Sequence, residues 1–374
     1  MRKLEWAKFI PKEICVLGGG PGLGFYVPAL VLQKQLTKCG YCTYFHVYES
    51  LLSCDKIERL NSTIASFHRN FKAALIAQKI ARTINESLDK NKLELLFDEW
   101  AKKSCLFFVC FSGHWIPILE MYRSYKRCVD FTVVLCHIDS VNSVSWSLYN
   151  TSQSFFNPIW FNDWESRRIN YYLNIDRSGV VPFRDRATRF VIHGGGWGIG
   201  TYAEEVKLLE NLDVDLDILL YGLDDTVRFP STRGGDAFYL LDPTWKYWMQ
   251  YENGHSFPPI AKYGRGEDFN FQNNDDYPKL YNVLKNCKAI VSKPGAGTLL
   301  DSISSATPII ILKPFGEYEE RNGDLWRDLG FGIWLEDWKN TRCKMDILEE
   351  LHYNIEQCRA KTPDFLSIFY ESKN

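Results

Sequence analysis

Ser292-Lys-Pro-Gly-Ala-Gly-Thr-Leu-Leu-Asp301 is the stretch on which the fold of this chain turns. The apolar run Ala289–Ser292 reads as a strand, and Thr298–Ser305 reads as a helix. A strand that enters a helix through Gly-Ala-Gly brings close-approaching amides and the positive end of a helix to one point. That arrangement suits a phosphate, and Gly295, Ala296, Gly297 and Thr298 are its candidate contacts. Asp301, one turn further on, has two readings. Its carboxylate can accept both hydroxyls of a ribose, or it is the acid of a capping box in which Thr298 is the cap.

The same pattern occurs upstream. Arg189–His193 reads as a strand and runs into Gly194, Gly195, Gly196, Trp197, Gly198 and Gly200. A helix at Glu204–Leu212 and strands at Asp215–Tyr221 and Pro308–Leu312 complete that half. Nearer the start, a strand at Ile14–Leu17 meets Gly18, Gly19, Gly20, Pro21, Gly22 and Gly24, then a helix at Pro28–Leu36. Further strands are expected at Tyr44–Tyr48, Leu106–Phe111 and Phe131–His137. Strands alternating with helices predict an α/β chain with doubly wound parallel sheets. Ligands of such sheets bind beyond the carboxyl ends of the strands. One glycine turn per half predicts two Rossmann-like domains facing across a cleft, over 1–180 and 187–345. A helical tail over 346–374 is expected to pack back toward the first domain. The linker is placed in Tyr171–Arg186. Residues 224–265, rich in Pro, Gly and aromatics, fit poorly and read as an insertion beside the cleft.

With 374 residues, 45% of them hydrophobic, the chain can bury two cores. A net charge of −2 argues against a nucleic-acid partner. The first residues lack an apolar signal-peptide core, and no apolar run reaches membrane-spanning length, so the chain reads as cytoplasmic. Among its 11 cysteines, Cys15, Cys105, Cys110 and Cys136 lie in apolar runs and read as buried thiols of a reducing compartment. Cys39 and Cys42 have no second pair at zinc spacing, and Asp213-x-Asp215-x-Asp217 precedes a strand. No metal site is expected.

Gly-Ala-Gly-Thr-Leu-Leu-Asp301, followed by Ala306-Thr-Pro308 and Pro314-Phe-Gly-Glu-Tyr-Glu-Glu-Arg-Asn322, resembles the donor-binding cassette of GT-B glycosyltransferases. The likeness is to the lipid II-forming N-acetylglucosaminyltransferase of peptidoglycan synthesis and its UDP-glycosyltransferase relatives. It is specific over roughly residues 265–335 and architectural elsewhere. The resemblance implies transfer of a sugar from a nucleotide diphosphate, a UDP-sugar, with inversion and without a metal. The nucleotide sugar is then a co-substrate, and no tightly bound cofactor is expected. By the same resemblance Asp301 takes the place of the ribose-binding acid, and Thr298 matches a family threonine. Asn322 falls near a glutamine that contacts the donor sugar. Gly195, Gly196 and Trp197 fall in a phosphate loop, and Phe271 or Gln272 lies near the uracil.

The N-terminal loop departs from the family. There a histidine precedes Pro-Ala-Leu as the candidate base; here Phe25 stands at that distance before Pro28-Ala29-Leu30, and phenylalanine takes no proton. Histidine is suited to proton transfer near neutrality, and two end apolar strands. His114, in Phe111-Ser-Gly-His114-Trp, is the expected base, with Asp139 as its orienter or as the base itself. His137 is the second candidate. His193, at the mouth of the second glycine loop, is expected at the diphosphate. For each histidine the plain alternative is a hydrogen-bonded structural residue.

Other readings stay open. Ile14 to Gly24 with Glu49 resembles the start of an FAD- or NAD-binding domain, and Gly20 and Gly22 are that loop's candidate contacts. Its G-x-G-x-x-G frame fails at Leu23. A nucleotide-sugar hydrolase or a non-catalytic binding subunit would share the GT-B architecture. Phe71, Leu75, Ile76 and Ile80 alternate with Arg69, Lys72, Lys79 and Arg82, so residues 68–84 read either as a peripheral membrane contact or as a core-facing helix. The acceptor is a small molecule, a peptide or a lipid-linked group. Trp146, Phe155, Phe156, Trp160, Phe161 and Trp164 line it or belong to the core.

Overall fold

The computed structural model describes residues 5–20, 22–78, 87–125, 130–229, 234–252, 254–263 and 269–371. The first half runs β1 (Glu13–Gly18), α1 (Leu23–Lys38), β2 (Cys42–Val47), α2 (Cys54–Arg69), α3 (Phe71–Gln78), α4 (Lys90–Lys102), β3 (Phe107–Cys110), α5 (Ile116–Ser124), β4 (Thr132–His137), α6 (Val144–Ser147), β5 (Phe156–Trp160) and a short pair, β6 (Asn162–Asp163) and β7 (Arg168–Ile169). The second half runs β8 (Ala187–Ile192), α7 (Tyr202–Leu209), β9 (Asp215–Leu220), β10 (Ala237–Leu241), β11 (Ile260–Tyr263), α8 (Leu280–Leu284), β12 (Cys287–Ser292), α9 (Ala296–Ser305), β13 (Ile309–Ile311), α10 (Glu317–Asp328), β14 (Gly332–Trp334), α11 (Leu335–Asn340), α12 (Met345–Lys361) and α13 (Ser367–Glu371).

Two sheets result. The first has the order β2-β1-β3-β4-β5 and is parallel throughout. The second has the order β11-β10-β9-β8-β12-β13-β14, with only β11 antiparallel to its neighbour. Helices cover both faces, so central strands such as β3, with Phe107, Phe108, Val109 and Cys110 all buried, are apolar on every residue. In each sheet the winding reverses beside the first strand: between β1 and β3, and between β8 and β12. Those reversals open crevices at the carboxyl edges, and the residues that leave β1, β3, β8 and β12 face one another there.

Several local choices differ from the expected ones. α1 begins at Leu23 and takes Pro28 inside, forgoing the bond that an N–H at 28 would make to Gly24. Residues 224–265 supply β10 and β11 to the second sheet. The segment between these strands forms an arm onto the first domain. Tyr26 Oη donates to Ser256 O at 2.7 Å, Tyr247 Oη donates to Glu49 Oε1 at 3.1 Å, and the His255 ring meets Phe45 edge-on at 5.1 Å. A single buried core therefore runs through both domains, joining Ile14, Val31 and Val134 to Val191, Ile290 and Tyr281. The chain's last helix belongs to the same core. Phe365 packs on Phe161 at 4.8 Å, and Tyr41 Oη donates to Phe369 O at 2.6 Å.

The cysteines among the described residues are free thiols. Cys39 contacts Tyr370 and Cys42 donates to Tyr44, so the pair shares no ligand. Asp215 and Asp217 hold Arg189 in ion pairs of 3.0 and 2.7 Å at the amino edge of the second sheet. No group of three or more His, Cys, Asp or Glu side chains fit to hold a metal ion occurs among the described residues. Nor is any described helix long and apolar enough to cross a membrane.

Candidate functional site

A cavity of about 490 Å³ lies between the two carboxyl edges. Its second-domain wall is built from the turns after β8 and β12. Gly195 N–H donates to His193 Nδ1 at 3.1 Å. An amide can only donate, so Nδ1 is the acceptor and the ring proton sits on Nε2. That Nε2 is buried, lacks a partner, and belongs to a side chain lining the cavity. Burial, then the nearby Lys293 charge, lowers the His193 pKa to about 4, so the ring is neutral. Trp197 Nε1 is a second buried donor without a partner on the same wall.

Lys293 leaves β12 and stands between the two glycine turns. A Cβ added to Gly195 would lie 3.5 Å from its Nζ, and one added to Gly295 would lie 3.1 Å from it. Its ammonium pairs with Glu319, whose other oxygen accepts the Phe315 N–H at 2.7 Å. The sequence reading passed over Lys293 and Glu319. The signal was available in a lysine placed directly before a Gly-x-Gly helix start.

α9 begins at Ala296, with Gly295 as its N-cap. The first i→i−4 bond is Leu299 N to Gly295 O at 3.1 Å, so the amides of Ala296, Gly297 and Thr298 precede the helical ladder. Thr298 is thus the third residue of the helix and not its cap, which removes the capping-box reading. Asp301 lines the cavity, and its carboxylate makes no hydrogen bond or ion pair among the described residues. Burial pushes its pKa up to about 7.

The first-domain wall comes from the loops after β1, β3 and β4. His114 and Asp139 both line the cavity. No hydrogen bond joins them, and burial alone lowers the His114 pKa to about 4. The Asp139 carboxyl is raised to about 7 by burial; the Asn322 hydrogen bond and the Lys293 charge oppose the rise, while Glu319 adds to it. Asp139 is therefore electrostatically coupled to the second-domain wall, and His114 is not.

Four candidates lie elsewhere than expected. His137 is outside the cavity, between Trp146 at 4.3 Å and Trp160 at 4.2 Å, where burial lowers its pKa to about 3. Phe271 stacks on Phe269 at 5.7 Å in the second domain's own core, and neighbouring Gln272 pairs its backbone with Ile260. Pro258 and Ile260 line the cavity there instead. Asn322 is fully buried and bridges the domains. It donates to Asp139 Oδ1 at 2.8 Å and to Pro294 O at 3.1 Å, and accepts Ser140 N–H at 2.7 Å. Gly20 turns inward, and its N–H donates to Glu49 Oε1 at 2.7 Å. Glu49, also the acceptor for Tyr247, is only 2% exposed, and neither Gly20 nor Glu49 lines the cavity.

Gly22 does line the cavity, facing the Trp197 indole. The segment over 68–84 is not one helix: α2 ends at Arg69 and α3 starts at Phe71, with Asn70 between them. Phe67 and Ala77 line the cavity, Ile76 is 63% exposed, and Lys79, Ile80 and Arg82 lie outside the described residues. Of the aromatics, Trp146, Phe155 and Phe156 are core, and so is Phe161.

Two Rossmann-like domains with a cleft between their carboxyl edges are the GT-B architecture. No protein-family model matches the chain, and no curated protein matches it in sequence. Solved structures do match in fold. The glycosyltransferase SnogD from Streptomyces nogalater aligns over 96% of this chain and 97% of its own, with a TM-score of 0.54 at 13% identity. MurG of Acinetobacter baumannii aligns over 97% and 99%, with a TM-score of 0.50 at 13% identity. The spinosyn rhamnosyltransferase SpnG, complexed with thymidine diphosphate, aligns over 97% and 100%, with a TM-score of 0.54 at 10% identity. The chain has the GT-B fold over nearly its whole length.

Proposed function

We propose that this chain is a glycosyltransferase that moves a sugar from a nucleoside diphosphate donor, a UDP-sugar, to an acceptor hydroxyl, with inversion and without a metal ion. One observation carries the reading. The His193 Nε2–H, the Lys293 ammonium, the first turn of α9 and the unpartnered Asp301 carboxylate converge on one cavity at the switch point of the second sheet. In this reading the diphosphate lies between the glycine turns, and Asp301 accepts the ribose hydroxyls. Residues 187–345 hold the donor, residues 1–180 receive the acceptor, and the tail over 346–374 ties the two.

Asp139 is the proposed base. At neutrality its carboxyl is poised between its two protonation states, which suits general-base work. The acceptor oxygen attacks the anomeric carbon and gives its proton to the ionised Asp139. The bond from that carbon to the β-phosphate oxygen breaks, and its electron pair leaves with the diphosphate. Lys293, His193 and the α9 amides meet the growing charge with fixed donors. The acceptor side is apolar, with Val27, Val31, Leu148, Leu173 and Ile175 lining it, which favours a small-molecule or lipid-linked alcohol.

A thermal-shift series tests the reading. UDP and dTDP should raise the melting temperature, because a ligand bound only to the native state stabilises by roughly 2.7 kcal/mol at a hundredfold excess over its dissociation constant. Stabilisation by NAD or FAD, and by no nucleoside diphosphate, would overturn it.

A further inference from the structure

We propose that the donor's sugar ring is held by the first domain, through His114 and Ser145, and that this sugar is neutral and hydroxyl-bearing rather than a uronic acid. This rests on the nucleotide-sugar reading above and supplies what that reading leaves open: the class of sugar and the side chains that hold it.

Asn322 falls near the place of the family's sugar-contacting glutamine, but its amide is engaged within the protein. It is fully buried, both its amide hydrogens are donated within the protein, and its oxygen accepts the Ser140 N–H. Its bonds trace a path instead. Pro294 opens the turn that receives the diphosphate, and Asn322 ties Pro294 to Asp139. Asp139, Ser143, Ser145 and His114 all line the cavity. The wall thus starts beside the diphosphate, where a donor sugar is attached, and runs into the first domain.

Gly113 makes the far end of this wall possible. A Cβ there would lie 2.3 Å from Ser145 O, so only glycine lets the turn after β3 pack backbone to backbone on α6. That packing brings the chain at residues 113 and 145 together, and His114 and Ser145 line the same cavity. Each is only 4% exposed, and His114 Nδ1 and Ser145 Oγ have no partner. Buried polar atoms call for a partner, and because His114 and Ser145 line the cavity, a ligand there can supply one.

Their chemistry limits that ligand. Burial keeps the His114 ring neutral, with one donor and one acceptor, and a serine hydroxyl also has both. Sugar hydroxyls match such groups pair for pair. A carboxylate would not: it would lie beside Asp139 and Glu319, and Lys293, the one lysine among the described residues that line the cavity, is engaged with Glu319 and the diphosphate.

Titration calorimetry on the full chain tests this. Kd would be measured for UDP, for UDP-glucose, UDP-galactose and UDP-N-acetylglucosamine, and for UDP-glucuronic acid, in the parent, Ser145→Ala and His114→Phe. The phenyl ring keeps the packing against Tyr48 and Tyr149, and Ser145→Ala alone carries the test if His114→Phe does not fold. At least one neutral UDP-sugar should bind the parent more tightly than UDP and than UDP-glucuronic acid. Each variant should lose about tenfold of that preference, the worth of one buried hydrogen bond, with UDP itself unchanged. Unchanged preference in Ser145→Ala, or tighter binding of UDP-glucuronic acid by the parent, overturns the inference while leaving the donor site standing. Failure of UDP to bind the parent brings down the donor reading and this inference with it.

Discussion

Both domains carry a glycine-rich turn after their first strand, and the two turns do different work. In the second domain the turn after β8 leaves its donors outward: His193 Nε2–H and Trp197 Nε1 are buried on the cavity wall without partners. In the first domain the turn after β1 spends its donor inward, Gly20 N–H on Glu49. The start of α1 is pressed against the other turn, for a Cβ on Gly196 would lie 2.7 Å from Leu23 N. Glycine content therefore does not by itself mark a phosphate site. What marks it is whether donors on the cavity wall remain free, as His193 Nε2–H and Trp197 Nε1 do beside the second turn.

The largest expected effect falls where the two walls meet. Asp139→Asn should lower turnover about 10²–10⁴-fold, measured as sugar transfer or as donor hydrolysis, with UDP affinity unchanged. In the parent, turnover should fall as pH drops below about 7, where Asp139 takes up a proton. Normal turnover in Asp139→Asn, with a collapse in His114→Phe, would move the base to the histidine.

Asp301→Asn comes next and probes the second domain alone. It should weaken UDP about 10- to 150-fold, since a hydrogen bond to a charged group contributes about 1.5–3 kcal/mol. Affinity of the parent should likewise fall below pH 7, because the ionised carboxylate accepts the ribose hydroxyls. Stability should move the other way. Burial raises Asp301 from the usual 3.8 to about 7, so the folded chain keeps a proton that the unfolded chain releases. The resulting penalty grows as pH rises through that window. Asp301→Asn should therefore melt higher than the parent at pH 8, with the difference vanishing near pH 4. A lower melting temperature at pH 8 with intact UDP binding would mean that Asp301 is structural.

Smaller effects should come from the first domain's inward groups. Glu49→Gln keeps an acceptor for Gly20 and Tyr247, and should leave UDP affinity within about twofold, as expected of a group that holds a turn and touches no ligand. A large loss would return the N-terminal loop to the ligand. His137→Phe should change turnover least, about twofold or less, because the ring is enclosed by Trp146 and Trp160 outside the cavity.

The second domain was the legible one. Its strands are short apolar runs, and its cassette packs glycine, helix start and acid into ten consecutive residues, so local spacing carries the geometry. The sequence also placed His114 and Asp139 at strand ends, because a parallel sheet puts every strand end on one edge. It could not tell His137 from His114, since the difference is made by Trp160, a residue on the neighbouring strand β5. Asn322 was misread for the same reason: its partners Asp139 and Ser140 lie over 180 residues away in the other domain. The arm between β10 and β11 was illegible because its aromatics pack on first-domain residues far away in sequence, among them Tyr26, Phe45 and Glu49.

A crystal structure with UDP bound tests the central claim most directly. The ribose hydroxyls should lie within hydrogen-bond distance of Asp301, and the β-phosphate against Lys293 Nζ and His193 Nε2. A nucleotide lodged instead on the Gly18–Gly24 turn of the first domain, with Glu49 released from Gly20, would contradict it.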